Sequence, residues 1–168
     1  MENSPDLGIL LGSAYPLVLT ETRDEESLLA IVRDQARRRG LQVWTWSAAR
    51  GLARDGYEGQ YGTDGLPAAL GFVADLTAPA VFVLLDAHAP LTNPLTMRRL
   101  KETALDLDDG QTILVTRPGR EIPPELEGLA VAWAHRPPGD DEIAALIART
   151  ITDLGMRGID ARLDPGQR

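Results

Sequence analysis

Cysteine is absent from this chain of 168 residues, and lysine occurs once, at Lys101. Without cysteine there is no disulfide, no thiolate metal site and no thiol nucleophile. The one lysine is followed by Glu102 and preceded by no suitably spaced glycine, so a phosphate-gripping G-x-x-x-x-G-K-[ST] loop is excluded. Histidine is nearly as scarce. His88 and His135 are too few for a His-rich metal centre. No hydrophobic run approaches the roughly 18 residues of a membrane span. The start, Met1-Glu2-Asn3-Ser4-Pro5-Asp6, lacks the basic stretch that opens a secretory signal. A cytoplasmic protein is expected.

The formal charge is −8. An acidic surface repels the polyanions of nucleic acid and anionic membrane, so neither is expected as a partner. With 43% hydrophobic and 25% charged residues, the chain has the makings of one soluble domain with a proper core. Its preference for Ala, Arg, Gly, Asp and Leu over Lys, Ile and Asn suggests a bacterial, GC-rich genome.

Short apolar runs alternate with amphipathic stretches. A short helix is predicted over 7–14 and a strand over 16–20. A helix then runs from a Thr22 N-cap, with Glu25 completing a capping box, to Arg39 and a Gly40 stop. Residues 41–46 read as the second strand. Residues 47–65 read as a flexible, Gly-rich loop carrying Tyr57 and Tyr61. A helix over 66–76, a strand over 80–85, a helix from Pro94 to about Leu107 and strands over 111–116 and 129–134 follow. A last helix opens at Pro138-Gly139-Asp140 and places Ile143, Leu146, Ile147 and Ile151 on one face. Apolar strands separated by helices predict a three-layer αβα sandwich around a five-stranded, mostly parallel sheet. The expected domain spans 1–154. The remainder, 155–168, is a polar tail or the start of a further segment.

In such sheets ligands sit beyond the carboxyl ends of the strands. The turn there, Thr20 to Glu26, has no glycine and carries Glu21, Asp24, Glu25 and Glu26. Acids at a helix start satisfy the helix dipole and repel a polyphosphate. Asp86 ends a central apolar strand, where P-loop enzymes keep the Asp that organises Mg²⁺. Ala87 follows it in place of a water-activating Glu, and His88 comes next. Asp86 and His88 are thus candidates for a vestigial Walker B site, or Asp86 is a turn-forming cap and His88 a local hydrogen-bonding group. Thr116, at another strand end, is a candidate vestigial sensor or a turn cap. A divalent ion held by Glu21 and Asp86 is the minor alternative. Arg50, Tyr57, Tyr61, Arg98 and Arg99 are candidate partner contacts; a solvated face is the alternative for the arginines. Trp44 and Trp46 share one strand face and read as core.

Several stretches in order resemble a known family. They are Tyr15-Pro16-Leu17, Thr22 to Glu26, Trp46 to Leu52, Pro79 to His88, Arg98-Arg99-Leu100, Ile122 to Leu126 and Pro138 to Ile143. The chain is similar over about residues 5–165 to the N-terminal region of the AAA-type ATPases conserved, as a hypothetical open reading frame, in cyanobacteria and plastids. The resemblance implies a P-loop NTPase/AAA-like domain without a Walker A loop, placed ahead of a true ATPase module. It implies a non-catalytic regulatory or protein-interaction domain that needs no cofactor. The expected partner is a protein, either its own ATPase module or another subunit, in an assembly that can be oligomeric. Two alternatives stand beside this: a nucleotide or small-molecule binding module, and a metal-dependent hydrolase using Asp86 and His88.

Overall fold

Six strands and five helices order the part of the chain described by the computed structural model, residues 6–135 together with Ala148. The helices are α1 (Leu7–Leu10), α2 (Glu25–Arg39), α3 (Leu66–Asp75), α4 (His88–Leu91) and α5 (Pro94–Leu105). The strands are β1 (Leu17–Glu21), β2 (Gln42–Ser47), β3 (Gly51–Arg54), β4 (Ala80–Leu84), β5 (Gln111–Thr116) and β6 (Ala130–Ala134). A 3-10 turn, Pro124–Leu126, precedes β6. They form one sheet in the order β3-β2-β4-β5-β1-β6, parallel throughout except for the β2–β3 pair.

The sequence dictates this arrangement through its apolar runs. Every residue of β4 and β5 is buried. Only a strand covered on both faces needs such continuity. One face carries Leu17, Leu19, Trp46, Phe82 and Ile113 against α3 and α5. The other carries Val18, Val43, Val81, Val83 and Leu114 against α1 and α2. Trp44 and Trp46 are both core residues, as their spacing predicts, and Trp44 leans on Phe72 of α3 at 5.2 Å between ring centroids. The three-layer α/β class expected from sequence is the one found.

Details differ from the expectation for local reasons. The sheet has six strands, because residues 51–54 of the presumed loop pair antiparallel with β2. Gly51 makes the turn at φ +67°, a conformation that disfavours any residue with a Cβ. The α2 N-cap is Asp24, whose carboxylate accepts from Ser27 N at 2.9 Å; Thr22 lies outside the helix. Gly40 closes α2 in the left-handed conformation, as read from sequence. α1 ends at Leu10, and α4 is an additional short turn of helix.

The chain divides into two compact units, Met1–His135 and Arg136–Arg168. The helix expected from Pro138 and the boundary expected at 154 lie outside the described residues. No helix among the described residues is long and apolar enough to cross a membrane.

Candidate functional site

The carboxyl ends of β1, β5 and β4 lie side by side, and Thr20 is in register with Thr116. Thr116 is buried, and its hydroxyl latches the end of β4. It accepts from the Asp86 backbone N–H at 2.8 Å and donates to Leu84 O at 3.4 Å. Asp86 sits at φ 50°, the one non-glycine at positive φ among the described residues. Aspartate tolerates that region better than most side chains do. The structure therefore brings Asp86 and Thr116 together. His88 begins α4, is exposed, and makes no hydrogen bond within the described residues.

Facing Asp86 is the first turn of α2. Partial burial, and then the nearby Asp86 carboxylate, push the Glu25 carboxyl above the usual range. Two acids therefore face one another where a nucleotide-binding sheet would hold phosphate. The helix end is capped by its own side chain: the Asp24 carboxylate takes the Ser27 N–H, and Glu25 and Glu26 occupy the first turn. Glu21 is exposed at the end of β1. Among the described residues no group of three acids or histidines is placed to hold a metal ion.

Three polar groups here, on Thr20, Thr22 and His135, were not read from sequence as site residues. Thr22 Oγ1 lies 2.9 Å from His135 Nδ1, just past β6, and also accepts from Asp24 N at 3.1 Å. Burial depresses the His135 pKa, and Asp24 acts weakly against that. Among the described residues the buried hydroxyl of Thr20 and Nε2 of His135 have no hydrogen-bond partner. The chemical signal was a histidine at a strand end beside β1, but its contact with Thr22 is a tertiary one.

The depressed His135 pKa fixes a sign. The folded state binds fewer protons than the unfolded chain, so stability is fully present above the unfolded histidine value. It falls as pH drops toward the lower folded value. His135→Gln should flatten the melting temperature against pH between about 7 and 5, removing less than ~1 kcal/mol at this partly solvated site. Parallel curves for the two proteins would refute the assignment.

The candidate partner contacts fall in two places. Tyr57 and Tyr61 are exposed on the loop after β3, Tyr61 completely so, and the Arg54 guanidinium lies 5.1 Å over the Tyr57 ring. Arg50, also exposed, is in the turn before β3. The loop expected to be flexible is tied down. Thr63 Oγ1 accepts from Leu52 N at 2.8 Å and donates to Gln60 O at 2.6 Å, and Trp46 Nε1 donates to Thr63 O at 2.9 Å. Arg98 and Arg99 lie on α5. Arg98 pairs with Glu102 at 2.7 Å. Arg99 reaches α3, where a Cβ at Gly71 would lie 3.3 Å from its guanidinium.

The class these observations define is a three-layer α/β domain with a mostly parallel sheet, whose first strand enters a self-capped, glycine-free helix start without a Walker A loop. Residues 4–135 match the family of SpoVK-like AAA ATPases, N-terminal domain, and the chain belongs to that family. It is 26% identical over 165 residues to the uncharacterized AAA domain-containing protein ycf46 of Trieres chinensis. That match covers 93% of this chain and 32% of the relative, so the chain spans about a third of the relative's length. A solved structure described as a DNA replication initiation factor matches at 14% identity and a TM-score of 0.48. It covers 92% of this chain and 49% of that one.

Proposed function

We propose that this domain is a non-catalytic regulatory or interaction module of an AAA-type ATPase and does not hydrolyse ATP. The reading rests on one observation: the helix start that would receive phosphate is occupied by the protein's own carboxylates. Asp24 accepts the Ser27 N–H, Glu25 and Glu26 add negative charge, and Asp86 faces Glu25. A polyphosphate placed there meets like charge and competes with the Asp24 carboxylate for the Ser27 N–H. Asp86 and Thr116 then act as the lock on the end of β4 rather than as metal ligand and sensor. The exposed Tyr57, Tyr61, Arg50 and α5 side chains supply the surface for a protein partner, since Tyr and Arg are enriched where interfaces bind tightly. That partner is the ATPase module that follows such domains, or another subunit.

Calorimetry with Mg–ATP tests the reading. No saturable heat is expected up to about 1 mM nucleotide, whereas a dissociation constant in the micromolar range, about 8 kcal/mol of binding, would overturn it.

A further inference from the structure

The outer face of α5 is patterned against itself. Thr96, Leu100, Thr103 and Ala104 bury the inner face of this helix. Leu95, Arg98, Glu102 and Leu105, at intervals of three, four and three residues, form the opposite stripe. Leu95 is 81% exposed and Leu105 60%, so both are large hydrophobic side chains open to solvent. Between them the Arg98–Glu102 pair is exposed on both sides, at 65% and 47%.

A solvated helix face also carries i,i+4 pairs such as Arg98–Glu102, but here an exposed leucine flanks the pair at each end and gives the stripe a symmetry. Leu95 and Leu105 are equidistant from Leu100 along the helix, and so are Arg98 and Glu102. A two-fold axis at that level, perpendicular to α5, lays a second copy antiparallel upon the first. Each Leu95 then covers Leu105 of the partner subunit. Each Arg98 meets Glu102 of the partner subunit, and the reverse contact closes a ring of four alternating charges. This is the self-complementary patch that an isologous interface requires. A parallel arrangement would set arginine on arginine and glutamate on glutamate, so the charges select one orientation.

We infer that α5 is a homodimerisation surface and that its occupant is a second copy of this chain, packed antiparallel through Leu95, Arg98, Glu102 and Leu105. The inference deepens the interaction role proposed above by naming one partner and the face it uses.

Sedimentation equilibrium of the 168-residue chain tests it. A concentration-dependent rise from 18.2 kDa toward twice that mass is expected at about 10–100 µM. Arg98→Glu alone makes the stripe wholly acidic between its leucines, and Glu102→Arg alone makes it basic. Each variant should lose at least tenfold in self-association. An equimolar mixture of the two should recover a dimer, as should the doubly exchanged chain. Recovery on mixing cannot come from a misfolded variant. A monomeric wild type, or single variants that associate as wild type does, would overturn the proposal. Neither result bears on Mg–ATP calorimetry, so the broader non-catalytic reading stands or falls separately.

Discussion

Trp46→Ala lowers the unfolding free energy by about 3–5 kcal/mol, among the larger losses a single substitution in this domain should produce. Trp46 is 1% exposed and packs in the core cluster with Leu52 of β3 and the buried face of α3. Its indole N–H also holds the Thr63 carbonyl at 2.9 Å, so the substitution leaves both a cavity and an unpaired buried acceptor. Trp46→Phe separates these two causes. It keeps most of the apolar volume and removes the donor, and should cost about 1–3 kcal/mol. In urea unfolding followed by circular dichroism, the two variants should rank in that order below wild type. Limited proteolysis near Tyr57 and Tyr61 should accelerate in both, because Thr63 loses part of its anchorage. Both variants unfolding within ~0.5 kcal/mol of wild type would refute the packing role.

Leu100→Ala comes second, at about 2–5 kcal/mol. Leu100 is fully buried and pins α5 to α3 and the sheet. Leu95→Ala, on the opposite face of the same helix, removes a side chain that is 81% exposed and should change the monomer by no more than about 0.5 kcal/mol. Denaturation at protein concentrations below those of self-association makes the comparison clean. Similar losses at the two positions would mean that α5 has no distinct inner and outer faces. The contrast bears on function, because it separates the residue that builds the helix into the domain from residues free to meet another molecule.

How much could be read in advance depended on whether one stretch of chain carried the information. β5 was expected at its observed bounds, because Gln111–Thr116 is a continuous run suited to burial on both faces. The Gly40 stop was legible for the same local reason. β3 was not. It is four residues long with one large apolar side chain, and the Gly51 turn and pairing with β2 define it. The α2 start was misplaced by two residues because Thr22 and Asp24 both have capping chemistry. The Thr22 hydroxyl bonds instead to His135, 113 residues away, a contact no local pattern announces. At the candidate site, strand-end reasoning brought Asp86 and Thr116 to the same edge. The approach of Glu25 to Asp86 depends on how α2 seats on the sheet. The solvation left to each acid and hydroxyl is set by packing, which spacing along the chain does not encode.

The loop after β3 also folds back on the strand it follows: Gln60 N donates to Leu52 O at 2.7 Å, and Ala53 bridges Gly59. The outward-facing backbone of this boundary strand is therefore partly spoken for, and an unrelated extended peptide finds few free groups to zip onto. The exposed groups left on this side are chiefly ring faces and guanidinium groups, those of Tyr57, Tyr61 and Arg54.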